Sequence, residues 1–159
     1  MLFKNVCLES VAHLQPEETV TSAEIEERLA PVYKRLNLPF GRLEFFSGIR
    51  ERRLWEEHAC MSDKAAEVGL MALAKAGIAR KDVGVLINGS VYREYMEPAT
   101  ASFVHEKMEL FEQTMIFDVS NACLGFLNGM VLIASMIDQG IIRAGLVVAA
   151  ENGRPLVDS

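Results

Sequence analysis

Three short apolar runs, at residues 83–88, 115–119 and 146–150, alternate with two helical patterns, and this alternation constrains the chain more than any other feature. Each run is rich in β-branched residues and lacks an alternating polar face, as strands covered on both sides require. One helix is expected at about 99–111, and a second, strongly apolar one after Cys123. Strands separated by helices build a parallel sheet with right-handed crossovers. The expected class is therefore α/β, layered α/β/α, with a mostly parallel mixed sheet.

Upstream of this region, residues 2–11 read as a first strand and residues 16–18 as a polar turn. Thr21-Ser22-Ala23-Glu24 has the form of a capping box, after which Ile25, Leu29, Val32, Tyr33 and Leu36 recur at helical spacing. Pro31 lies inside that pattern, and its missing amide donor predicts a break. Residues 45–57 are dense in arginine, with Ser47-Gly48 as a turn signal. Ser62 reads as the N-cap of a helix through about Ala76, with Ala65, Val68, Ala72 and Ala76 as a narrow packing face and Gly77 as its stop. No linker or short repeat divides the chain, and residues 156–159 begin an element they do not complete, as a chain cut short would.

Composition excludes several functions. Half of the 159 residues are hydrophobic and 24% are charged, which suits a globular protein. A net charge of -6 with no basic stripe argues against nucleic acid as a partner. Cys7, Cys60 and Cys123 are odd in number and outside any CxxC spacing, so neither a disulfide framework nor a metal site is expected, and a reducing, cytoplasmic setting fits. Lys4 and Glu9 interrupt any signal-peptide core. Residues 119–137 approach the length of a membrane span, but Asn121 and Asn128 fall inside them and basic flanks are missing, so a helix buried in protein is expected instead.

The segment Phe117-Asp118-Val119-Ser120-Asn121-Ala122-Cys123-Leu124-Gly125-Phe126 carries the chain from strand to helix. With Ser120 or Asn121 as N-cap, Cys123 would occupy the first helical turn, where unpaired amides and the helix dipole favour the reactive thiolate. Burial statistics alone would make it an inert core cysteine. The residues around it favour the nucleophile.

DVSNACLGFLNGM resembles the active-site segment of the ketoacyl synthase III branch of the thiolase superfamily. Ser47-Gly48-Ile49-Arg50-Glu51-Arg52-Arg53 is similar to the same branch's SGIRERR signature, and residues 85–91 with Arg93-Glu94-Tyr95-Met96-Glu97-Pro98-Ala99-Thr100-Ala101-Ser102 resemble its OleA subgroup. The resemblance extends over essentially the whole chain. It implies that residues 1–159 form the N-terminal thiolase-like domain, and that the C-terminal half, with a histidine and an asparagine that assist the cysteine, is absent.

Further expectations follow from the resemblance. Cys123 is acylated by an acyl-CoA or acyl-carrier-protein substrate, with no tightly bound cofactor, and its amide contributes to an oxyanion hole. A second acyl thioester then attacks to give a β-keto product. Glu97 matches the OleA glutamate that reaches into the dimer partner's acyl site and is the proposed base; read without the resemblance, it is a surface carboxylate beside a helix-starting Pro98. A homodimer joined near residues 115–119 is implied, with an acyl carrier protein as a further candidate partner. The alternatives are a conventional 3-oxoacyl-carrier-protein synthase III using malonyl-carrier protein, and a non-catalytic acyl-binding fragment.

Arg42 and Phe46 stand where the fatty-acid-initiating members carry a CoA-clasping tryptophan and arginine, so that clasp does not carry over. Ion pairs with Glu51, Glu56 and Glu57 are the expected use of Arg50, Arg52 and Arg53. His13, His58 and His105 match no family context and read as surface or packing residues. Gly125 and Gly129 read as close-packing positions, and Asn128 as a buried amide in need of a partner.

Overall fold

A computed structural model describes residues 3–157. In chain order the elements are β1 (Glu18–Thr21), α1 (Ser22–Arg28), α2 (Ala30–Arg35), α3 (Arg42–Ser47), β2 (Glu51–Leu54), α4 (Met61–Ala76), a 3-10 turn (Arg80–Asp82), β3 (Val85–Asn88), α5 (Thr100–Met108), β4 (Met115–Asp118), α6 (Gly125–Asp138), β5 (Gly145–Val148) and α7 (Arg154–Val157). They fall into two compact units, one of residues 3–14 and 60–151 and the other of residues 15–59 and 152–157.

The larger unit is the layered α/β/α arrangement that the strand-helix alternation predicts. Its sheet has the order β4-β3-β5, parallel throughout, with Asn88 opposite both Asp118 and Val148. Central β3 is buried on both faces, and its side chains divide between two cores. Leu86 joins Ala65, Ala66, Leu73, Val104 and Met108 beneath α4 and α5, while Val85 and Ile87 meet Ile133 of α6. Each of these valine, leucine, isoleucine and methionine side chains contributes roughly 1.5–3 kcal/mol on full burial. Glycine sets the α6 distance, because a Cβ on Gly129 would lie 3.0 Å from Val147 and one on Gly145 2.7 Å from Ile133.

In the smaller unit, β1 pairs antiparallel with β2, Glu18 opposite Leu54 and Thr21 opposite Glu51. The capping box at Thr21 is complete, its hydroxyl accepting from the Glu24 amide at 3.1 Å while the Glu24 carboxylate accepts from the Thr21 amide at 2.7 Å. Pro31 divides the helical pattern as expected, falling in the first turn of α2, where a missing donor costs little.

Several expectations need correction. Residues 3–11 form no strand, and Leu2 lies outside the described residues. Burial does alternate from Ser10 to Leu14, so the backbone is extended there, but it joins no ladder and instead is tied to α4 through Ser10 Oγ to Ala72 O (2.8 Å) and Lys75 Nζ to Val11 O (3.1 Å). The polar turn gives way at Glu18 to β1, a strand with one buried residue, Val20, that exists by pairing with β2. Ser62 is not an N-cap. Cys60 holds that position without a side-chain bond, and the Glu94 carboxylate accepts from both the amide and hydroxyl of Ser62, at 2.8 and 2.9 Å.

α6 also departs from the buried helix expected. Only Gly125, Gly129 and Ile133 are buried, and Leu127, Val131 and Leu132 on the other side are exposed. Among the described residues no helix is long and apolar enough to cross a membrane.

Candidate active site

The chain leaves β4 at Asp118 and takes one further ladder bond, Val119 N–H to Asn88 O at 2.8 Å, before turning into α6. Two short turns carry it round, Leu124 N–H donating to Asn121 O (2.9 Å) and Gly125 N–H to Ala122 O (3.2 Å). Ala122 is left-handed, with φ 43. That conformation costs a non-glycine residue roughly 1–2 kcal/mol, and it persists where the surroundings over-determine it. Asn121 Nδ2 donates to Asn128 Oδ1 at 2.6 Å, tying the turn to the first part of the helix; Asn128 has a partner but is half-buried rather than buried as expected. Cys123 sits on this turn and is exposed.

The expected placement of Cys123 inside the first helical turn is therefore corrected. α6 begins at Gly125 with Leu124 as N-cap, because the left-handed bend at Ala122 delays entry into the helix. Neither Ser120 nor Asn121 caps it.

Backbone packs on backbone beneath the cysteine. A Cβ on Gly125 would lie 2.5 Å from the carbonyl oxygen of Gly89, and one on Gly89 would lie 2.7 Å from the amide nitrogen of Phe126. The end of β3 thus meets the start of α6 with no side chain between them. The contact fixes the backbone two residues beyond Cys123.

The other segment of interest connects β3 to α5. Its beginning is fixed by Ser90, whose hydroxyl donates to Asn88 Oδ1 at 2.7 Å and accepts from the Ala150 amide at 2.9 Å. Glu151 accepts from the amides of Val91 and Tyr92 at 2.6 and 2.9 Å, and Glu94 holds the start of α4 as described. Beyond these anchors Tyr95 leans on Phe103, while Met96 and Glu97 project into solvent. At the far end the Asp118 carboxylate accepts from the Thr100 and Ala101 amides, both at 2.9 Å. α5, which Ala99 leaves without a side-chain cap, is thereby capped from β4.

This arrangement coincides with a known family. The pattern of the 3-oxoacyl-[acyl-carrier-protein] synthase III family matches residues 117–159, the segment that holds Cys123. An acyl-CoA:acyl-CoA alkyltransferase of Xanthomonas campestris is 44% identical over 151 residues, which make up 95% of this chain and 45% of that protein. Its namesake from Shewanella oneidensis is 39% identical over 158 residues, 99% of this chain and 45% of the relative. A crystal structure of a cysteine-to-serine variant of Xanthomonas campestris OleA with bound lauric acid and lauroyl-CoA superposes with a TM-score of 0.90 at 40% identity, covering 99% of this chain and 49% of the other. The chain belongs to the ketoacyl synthase III branch of the thiolase superfamily. It is OleA-like within that branch and spans about half the length of the relatives it matches.

As a ketoacyl synthase III chain, it brings two of the quoted motifs into one unit. Cys123 and Glu97 lie on separate segments of the larger unit, both segments meeting at Asp118. The SGIRERR motif belongs to the smaller unit, where Gly48, at φ 66, closes α3 and the motif continues into β2. Arg52 donates to the Ser22 hydroxyl (2.7 Å), and Arg53 to the carbonyls of Pro16 and Glu17 (3.5 and 3.2 Å). These serine and carbonyl anchors are a use that the expected glutamate pairs did not include. His105 Nε2 lies 3.1 Å from Phe111 O, a packing contact of the kind expected. Sequence reasoning missed the clamping carboxylates Glu94, Asp118 and Glu151 and the glycine at 89. Glu94, Asp118 and Gly89 stood inside quoted motifs and Glu151 just past the last apolar run, but the partners that give them meaning are remote in sequence.

Proposed function

We propose that this chain carries the nucleophile of an acyltransferase that joins two fatty acyl-CoA molecules head to head. The observation that carries the reading is Cys123, exposed on a strained turn braced backbone to backbone, in a chain whose relatives are named acyl-CoA:acyl-CoA alkyltransferases. In the first half-reaction the Cys123 sulfur attacks the thioester carbonyl, its bond to CoA sulfur breaks, and CoA thiol leaves with the cysteine's proton. In the second, Glu97 takes a proton from the α-carbon of another acyl-CoA. That carbon bonds to the Cys123 thioester carbonyl, and the cysteine sulfur departs, leaving a β-keto acyl-CoA. The Cys123 amide serves as one oxyanion donor.

The exposed, solvent-directed Glu97 suits a base that serves a second copy of the protein, and β4, an edge strand with exposed Met115 and Ile116, suits the joint of a homodimer. The reading places the enzyme in the cytoplasm with no tightly bound cofactor. It assigns the assisting histidine and asparagine, which have no counterparts in residues 1–159, to the remaining half of the protein. A conventional synthase III that elongates with malonyl-carrier protein is the second reading, favoured by the family match over residues 117–159.

Intact-mass measurement on the full-length protein after incubation with lauroyl-CoA tests the first step: one acyl adduct is expected, absent from Cys123→Ser. An adduct on that variant, or none on the wild type, overturns the assignment of the nucleophile. Glu97→Gln separates the two readings. Unchanged condensation of two long acyl-CoAs by that variant sinks the OleA-type mechanism.

A further inference from the structure

We infer that Asp118 is a positioning residue that holds the Glu97 loop in register with Cys123, an inference that rests on the roles just given to those two residues. Asp118 terminates β4, five residues before Cys123. Its two carboxylate oxygens accept from Thr100 and Ala101 N–H, each at 2.9 Å, three and four residues beyond Glu97. One planar group therefore fixes both segments. Bidentate capping of this kind determines the direction in which the loop enters the helix as well as its distance, and charge-assisted bonds to amides are about twice as strong as neutral ones.

The surroundings of Asp118 are polar at a cost. Asn88, its register partner across the sheet, and Thr100, its hydrogen-bond partner, are 1% and 4% exposed. Asn88 Nδ2 and Thr100 Oγ1 are buried without a hydrogen-bond partner among the described residues. Unsatisfied buried polar atoms are rare, and a fold that served only stability would replace them with apolar groups. Glu94 and Glu151 fix other parts of the loop to α4 and to the chain beyond β5, and neither reaches the strand that delivers the cysteine. Asp118 alone of the three carboxylates joins the two functional segments.

The test separates the half-reactions in the full-length protein, with lauroyl-CoA as substrate. In Asp118→Asn the amide side chain keeps one acceptor and turns a donor toward the second N–H. The expected result is a tenfold or greater loss in the rate of β-keto product formation, with the rate of Cys123 acylation, read by intact mass, within twofold of wild type. Thr100→Pro deletes one of the two donors at the first helical position, where proline is tolerated, and Ala99 already has the extended backbone that a following proline needs. It should show the same split with native circular dichroism, which keeps the inference testable should Asp118→Asn fold poorly. In a Glu97→Gln background neither change should slow condensation further. Acylation falling in step with condensation, unchanged condensation, or a full additional loss in the Glu97→Gln background each overturns the inference. Failure of the base assignment itself shows separately, as wild-type condensation in Glu97→Gln alone.

Discussion

At the scale of single residues, Ala122 has the most to reveal. Its left-handed φ of 43 places the strain immediately before Cys123. Ala122→Gly should keep full thermal stability, because the relief of roughly 1–2 kcal/mol offsets the roughly 0.5–1 kcal/mol of chain entropy that glycine adds to the unfolded state. Ala122→Val should lose about 1–3 kcal/mol in denaturant unfolding, since a β-branched side chain resists this conformation. Equal stability of the two variants would show that the turn relaxes. Cys123 stood out as a candidate from its neighbours in the sequence. The bend before it did not, because alanine carries no signal for positive φ.

The elements respond to groups that lie far away in sequence. Glu26, buried in α1, accepts from the amides of Gly41 and Leu43 at 2.5 and 2.6 Å and from the Tyr33 hydroxyl at 3.0 Å. The Leu43 amide first and the Gly41 amide next hold its carboxyl below the usual glutamate range, outweighing the desolvation that opposes them. A depressed carboxylate contributes stability that is complete above the unfolded glutamate pKa and is lost as pH falls through the lower, folded one. Fluorescence of Trp55, the sole tryptophan, should report acid loosening of the smaller unit below the ordinary glutamate range. Glu26→Gln should weaken that unit at neutral pH and make its acid dependence shallower; an unaltered acid profile would remove Glu26 from this role. The same remoteness explains which elements could be read in advance. β3, β4 and β5 fall within two residues of the apolar runs at 83–88, 115–119 and 146–150, because burial on both faces is written locally. α4 lacked a readable start because its cap, Glu94, lies 32 residues from Ser62. Residues 3–11 have the pattern of a strand, but a pattern specifies only an extended backbone, and a ladder also needs a free edge beside it.

Across the larger unit, apolar surface is left over. Leu127, Val131 and Leu132 on α6 and Met115 and Ile116 on β4 are exposed. The apolar composition of residues 119–137 was plain in the sequence; which side of the helix would face outward depended on the sheet beneath it. If β4 is the joint between two copies, Ile116→Lys should convert the full-length dimer to monomer in sedimentation velocity, since a charged edge strand resists pairing. The monomer that results should keep its fold by circular dichroism, because Ile116 is not part of the core. A dimer that survives the change would place the joint elsewhere. The contact between Gly89 and Gly125 bears on how such experiments are interpreted. A methyl group on Gly125 has no room against Gly89, so an alanine scan would score both positions as catalytic, although neither offers a group that reacts. Loss of activity there would measure the thickness of a peptide backbone, and only a probe of cysteine placement could tell that apart from lost chemistry.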